Sequence, residues 1–351
     1  MDGKINTVMG GIVPADAGVI LPHEHLICNA DALMLRKQPV EFQQYCDKPL
    51  SQDIGWWITH NPYSSHDNAH LFEEKDAVKE ELEFFKRNGG GLVVDNTTYG
   101  IHPNAQVLAN LSMATGVHVV AGTGYYVESS RPSTVDGTVE EFVDFMAKDI
   151  QYGCEGTGIK AGVVGELGCS FPLGNSEKRV LQAAAQVECD TGCPVIIHPG
   201  RAPESPFEIM RIYQEAGGHA SRVVMSHMDR TISDIPQLLE FAELGCYVEY
   251  DLFGIECSYY QQTPTIDMPS DAERIQRIKF LIENGFQDKI TASHDIHTKH
   301  RLMKYGGHGF SHILLHVVPK MLIKGISQEN VDRIIKHNPQ TWLTFTRTNS
   351  N

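Results

Sequence analysis

The chain has no excess of positive charge, no long apolar run and no closely paired cysteines. Its 29 Lys and Arg against 44 Asp and Glu leave a net charge of −15 with histidine neutral. Such a surface repels phosphate backbones and anionic lipid, which excludes nucleic acid and membrane surfaces as expected partners. A small anionic substrate stays open, because a few local cations outweigh a diffuse field. No stretch reaches the length of a membrane span. The start, Met-Asp-Gly-Lys-Ile-Asn, has no basic region followed by an apolar one, so no secretory signal is expected. The 8 cysteines are scattered, which fits reduced, mostly buried thiols of a cytoplasmic protein.

What the chain does have is a regular alternation of two periods. Short apolar, β-branched runs fall at 18–26, 91–98, 117–125, 162–168, 194–199, 222–227, 246–253 and 289–295. They are apolar almost throughout, as parallel strands covered on both faces are. Between and after them lie helical patterns at 73–87, 138–152, 176–191, 205–216, 233–244, 271–284, 312–323 and 327–337, several stopped by glycine. Eight strand–helix units predict an α/β chain folded as one (β/α)8 barrel over 1–351. An open doubly wound sheet would need a phosphate-type glycine fingerprint after an early strand, and none is present. Residues 1–16 precede the first barrel strand and are expected to form a lid or hairpin over the barrel's bottom. Long connections at 30–71 and 254–270 are expected to wall a substrate pocket at the C-terminal face.

The ends of these runs carry the chemistry. His23 and His25 close the first, two residues apart and so on one side of a strand. Glu166, His198, His227 and Asp295 end four others. Any one of them alone is commonly a hydrogen-bonded core residue; six ligand-type side chains at independently placed strand ends are the inventory of a two-metal hydrolytic site. The expected division is His23, His25 and Asp295 on one cation, His198 and His227 on the other, and Glu166 bridging. Glu24 and His294 have the opposite parity and are expected to face a loop or the helical shell. Asp229 and Asp251 are placed to orient ligands. The donor set suits zinc first, then manganese, cobalt or iron.

These motifs resemble the phosphotriesterase family of the amidohydrolase superfamily. The resemblance rests on His-x-His at 23 and 25, the strand-end histidines 198 and 227, and Asp295. It implies a (β/α)8 barrel with two divalent cations, usually Zn2+, and a homodimer. Many members bridge the cations with a carbamylated lysine; here Glu166 stands in that position, and Lys160 lies too near the strand's start. Longer runs, among them Asn-Pro-Tyr-Ser (61–64), Glu-Tyr-Asp-Leu-Phe-Gly (249–254) and His-Asp-Ile-His-Thr-Lys (294–299), resemble one animal subgroup of the family. That resemblance implies cleavage of the amide of N-acetyltaurine to taurine and acetate, and of other small N-acyl amino acids.

Amide cleavage needs a protonated leaving amine, a task expected of Asp295 as general base and then acid. The sulfonate needs donors. Arg201 is the first choice, followed by Arg230, Lys299, Arg301 and Lys304, with Tyr99, Tyr125 and Tyr126 as hydroxyl donors. The same centre would serve a lactone or a phosphotriester, so those activities are the alternatives on this scaffold. A silent metal-binding protein is the alternative of another class.

Overall fold

The computed structural model describes residues 2–35, 39–132 and 135–346. Residues 36–38 of the first long connection, and the ends of the expected 1–351 domain, lie outside the described residues. Strands β1 (Ile5–Thr7) and β2 (Gly10–Ile12) form an antiparallel hairpin. Eight strands follow: β3 (Val19–Glu24), β4 (Gly90–Asp95), β5 (His118–Thr123), β6 (Val163–Gly168), β7 (Val195–His198), β8 (Val223–Met225), β9 (Tyr247–Tyr250) and β10 (Ile290–Ala292). They pair in parallel in chain order from β3 to β10. The ring closes just past the ladder, where the Asp295 N–H donates to the His23 carbonyl at 3.1 Å and the His25 N–H to the Ile296 carbonyl at 3.2 Å.

The apolar runs are continuous because each strand serves two cores. Ile20, Leu92, Val94, Val120, Val163, Ile196 and Val224 fill the barrel's interior with Trp342. Their neighbours Leu21, Val93, Val119, Val164, Val195, Ile197 and Val223 face the helical shell. The N-terminal hairpin lies at the bottom, as expected: Val8 N–H donates to the Val119 carbonyl at 2.8 Å and Asn6 Nδ2 to the Ala161 carbonyl at 2.9 Å.

The shell helices include Lys75–Arg87, Val139–Gln151, Asn175–Thr191, Ser205–Glu215, Ile235–Ala242 and Asp271–Glu283. Thr138 with Glu141, and Ser270 with Glu273, form capping boxes that start two of them. A further helix, Ala105–Thr115, was not among the expected elements. Its alanine-rich run shows little amphipathic contrast, and its start rests on a cap, Asn104, accepting from the Val107 N–H at 3.0 Å. Among the described residues, no helix is long and apolar enough to cross a membrane.

The two long connections meet over the C-terminal end of the barrel. The first holds its own small core of Cys46, Ile54, Trp57 and Ile58. Tyr63 from it packs with Tyr260 and Met268 from the second and with Leu252 just past β9, and the Tyr63 N–H donates to Gln261 Oε1 at 3.0 Å.

Candidate metal centre

Two of the strands that supply ligand-type residues break register just before doing so. In β3, Ile20 points into the barrel, so strict alternation would aim Glu24 inward. The β3–β4 pairing shifts between Leu21 and Glu24, around Pro22, and His23 and His25 face the centre instead. In β6, Val163 points inward, and the β6–β7 pairing shifts between Val164 and Leu167 to bring Glu166 inward. Gly165 permits this: its φ is +124°, and a Cβ there would lie 2.1 Å from the Ile196 carbonyl. Such irregularities re-aim a side chain at the cost of one paired residue. His227 and Asp295 lie past the ends of β8 and β10, both with left-handed φ, 55° and 54°.

The six residues converge. Glu166 spreads its oxygens over four imidazoles, one on Oε1 and three on Oε2. Oε1 faces His25 Nε2 at 3.2 Å. Oε2 faces His198 Nδ1 at 3.0 Å, His23 Nε2 at 3.4 Å and His227 Nε2 at 3.6 Å. Asp295 Oδ1 lies 3.3 Å from His25 Nε2 and 3.7 Å from His23 Nε2. All six are buried. His23 Nε2 is also without a hydrogen-bond partner, an uncommon state for a buried nitrogen and one that a cation would resolve. Imidazole nitrogens and carboxylate oxygens at these separations fit a divalent metal centre.

The far side of each imidazole is fixed. Asp251 accepts from His227 Nδ1 at 2.8 Å and contacts His23 Nδ1 at 2.9 Å, so one carboxylate orients both rings. Thr97 Oγ1 holds His25 Nδ1 at 3.0 Å. His198 is turned the other way, with Nδ1 toward the cluster and Nε2 3.4 Å from Arg230 Nη2. Glu249, on the inner face of β9, lies 3.2 Å from His23 Nδ1 and accepts from Thr291 Oγ1 at 3.1 Å. It was not among the expected site residues. Its signal is parity: it stands two residues before Asp251 in an apolar strand, and so shares its inward face.

Electrostatics follow from burial and from these contacts. Burial opposes ionisation of Glu166, but His23 and the hydrogen bond from His198 outweigh it and hold the carboxyl well below its usual range. Asp295 behaves alike, with His297 and His25 as the counterweights. Burial also opposes charge on His25, yet Asp295 and Glu166 raise it to about 9. Burial and the neighbouring His227 push His198 down to about 3, which keeps its ring neutral and available as a ligand.

The centre forms the floor of a cavity of about 730 Å³ walled by the two long connections. Arg201 lines it, with Nε donating to Tyr260 Oη at 2.9 Å and Nη2 to Gln262 Oε1. Arg230 and Tyr126 line it as well. Arg301 reaches the wall, but its guanidinium is spent on the carbonyls of Asp295 and His294 and on His308.

Four expected substrate contacts are corrected. Lys299 is buried among acidic residues, 2.7 Å from both Asp67 and Glu73. Lys304 pairs with Glu74 at 2.6 Å, away from the cavity. Tyr125 packs under Phe142 and Phe145 with Arg131 above its ring, and Tyr99 lies on its outer edge. None of these four lines the cavity. For the lysines, Asp67 in the first connection and Glu73 and Glu74 just after it supply partners that nothing in the local sequence discloses. For the tyrosines, the strand-end loop turns outward, and only Tyr126 turns in.

A family model for the phosphotriesterase family matches residues 3–343. The chain belongs to that family. An N-acetyltaurine hydrolase of Rattus norvegicus is 49% identical over 346 residues, spanning 98% of this chain and 99% of its own. The N-acetyltaurine hydrolase of Homo sapiens is 50% identical over the same extent. Kinship of that reach makes this phosphotriesterase-family chain a hydrolase. Among solved structures, a resiniferatoxin-binding protein from Rhodobacter sphaeroides superposes with a TM-score of 0.93 at 29% identity, covering 97% of this chain and 95% of that one. A phosphotriesterase homology protein from Escherichia coli, complexed with phosphate in its active site, superposes with a TM-score of 0.74 at 26% identity, covering 93% and 99%.

Proposed function

We propose that this member of the phosphotriesterase family hydrolyses the amide of N-acetyltaurine, giving taurine and acetate, at a centre of two divalent cations. The carrying observation is the place of Glu166 at the floor of a cavity that has arginine on its wall: Oε1 faces His25, Oε2 faces His198 and His227, and His23 Nε2 lies near both Oε2 and Asp295. His23, His25 and Asp295 would hold one cation and His198 and His227 the other, with Glu166 shared; the donor set suits zinc. Bound there, the cations would lower the pKa of a water and polarise the acyl carbonyl.

The chain's own residues do the rest. Asp295 is held ionised, so it accepts the proton of the attacking water as the new C–O bond forms. It then donates that proton to the amide nitrogen as the C–N bond breaks, because an alkyl amine leaves poorly unless protonated. Arg201, held through Nε and Nη2 by Tyr260 and Gln262, lines the cavity and brings there a positive charge suited to the sulfonate. The floor is buried, which strengthens these charge interactions and limits bulk water.

The test is a turnover panel on metal-loaded protein, with Asp295→Asn as the blank: N-acetyltaurine, other N-acyl amino acids, a lactone and a phosphotriester. The reading requires N-acetyltaurine to be the best substrate by kcat/KM. A lactone or phosphotriester cleaved far faster would replace it.

A further inference from the structure

Glu24 stands between His23 and His25, is fully buried and ligates nothing in the cluster. Its carboxylate turns away from the cavity and collects four donors from the segment that carries Asp295. Oε1 accepts from Ser293 Oγ at 2.9 Å, from the His294 N–H at 2.9 Å and from His294 Nδ1 at 2.7 Å. Oε2 accepts from the Ile296 N–H at 2.9 Å. His294 Nε2 accepts the Ile313 N–H at 3.1 Å, which assigns the proton to Nδ1 and makes that nitrogen a donor to Glu24.

The opposite edge of the same segment is held by Arg301, also buried, whose two terminal nitrogens donate to the carbonyls of His294 and Asp295. Glu24 therefore takes the N–H groups on either side of Asp295, and Arg301 takes the carbonyls. Between them Asp295 sits with φ 54°, a conformation that a residue with a side chain holds only where its surroundings impose it.

We propose that Glu24 and Arg301 are positioning residues that clamp the 293–296 segment and so set the aim of the Asp295 carboxylate. The proposal deepens the reading of Asp295 as the proton carrier and rests on it. The residue types are specific to the task. Four donors converge on one side chain, so it must be acceptor-only, and a carboxylate is the one side chain with two such oxygens. A glutamine would turn its amide N–H2 toward at least one of those donors. On the other edge, a guanidinium reaches two successive carbonyls at once, and a lysine ammonium lacks that fork.

The experiment compares Glu24→Gln, Arg301→Lys, Asp295→Asn and the double variant Glu24→Gln/Asp295→Asn, each metal-loaded and counted per folded chain. A carboxylate displaced by a fraction of an ångström to an ångström costs up to about 100-fold in turnover. Glu24→Gln is expected to lower kcat by about 10- to 100-fold while KM stays within about twofold, and Arg301→Lys to act in the same direction. If Glu24 works through Asp295, the double variant is no slower than Asp295→Asn alone. Hydrogen–deuterium exchange over 293–297, which needs no substrate, is expected to quicken in both single variants. Exchange that quickens while the parent cuts no amide would leave the clamp standing and remove the substrate reading. The clamp is overturned if neither variant alters exchange, if both keep parental kcat, or if Glu24→Gln multiplies the loss of Asp295→Asn. Should Glu24→Gln fail to fold, Arg301→Lys alone decides by the same readouts.

Discussion

His198 Nδ1 lies 2.8 Å from His227 Nε2, with the two rings nearly perpendicular and both buried. Two imidazole nitrogens so close either share a proton or direct their lone pairs at one cation. Glu166 Oε2, 3.0 Å from the same His198 nitrogen, adds a negative charge at that point. A cation there satisfies all three. His198→Ala should therefore lose about one metal equivalent per chain and nearly all turnover, while the site nearer His25 and Asp295 keeps its ion. Metal content by emission spectroscopy checks this; full parental content in His198→Ala would contradict it.

Asp251 is the common support of His23 and His227, one oxygen to each ring. Loss of such a partner frees two ligand rings at once. Asp251→Asn is expected to weaken metal binding by about 10- to 100-fold. The measurement is competition against a chelator, with circular dichroism as the control for folding.

Arg201 and Lys304 separate cations in the pocket from cations at the surface. Arg201→Ala removes charge-assisted hydrogen bonds, typically worth about 1.5–3 kcal/mol each, so KM for an acetylated sulfonate should rise by at least about tenfold. Lys304→Ala should leave KM within about twofold, since its partner is Glu74 on the outer side. Steady-state kinetics on both variants decide the matter, and an unchanged KM in Arg201→Ala would remove that residue from substrate binding.

Glu81 introduces a pH dependence that is independent of the centre. It is buried on the helix Lys75–Arg87 and accepts the N–H groups of Met303 at 2.6 Å and Phe310 at 3.0 Å. Burial outweighs those bonds and pushes its carboxyl up to about 7 from 4.5. The folded value exceeds the unfolded one, so the folded state holds the proton longer. The resulting stabilisation is complete below about pH 4.5 and is lost as pH rises through about 7, on the order of 3 kcal/mol in all. Glu81→Gln cannot titrate and should lack this share of the slope. Urea midpoints of both proteins between pH 5 and 8 test it; parallel curves would contradict the assignment.

Much of this architecture was legible in the sequence because strands with two covered faces leave continuous apolar runs, and eight such runs were visible. The convergence of His23, His25, Glu166, His198, His227 and Asp295 followed from placing them at strand ends. What sequence alone could not show was how two of those strands achieve it. Strict alternation carried on from Ile20 aims Glu24 inward, and only the register shift around Pro22 brings His23 and His25 to the inner face. Glu249 is not legible as a site residue, because a single carboxylate in Tyr-Val-Glu-Tyr reads as an interruption, not as one of a pair with Asp251. Lys299 and Lys304 read as pocket cations in the sequence because their acidic partners, Asp67, Glu73 and Glu74, are more than 200 residues away in the chain. The helix Ala105–Thr115 escaped because its apolar residues circle most of its surface.

Glu166 is proposed to join two cations at the floor of the cavity. The most direct measurement is the metal content of the purified chain after loading with zinc and removal of free ion. Two ions per parental chain, falling in Glu166→Ala together with turnover, is the expected result. A parental chain that retains none, with no gain in rate on adding zinc or manganese, would contradict it.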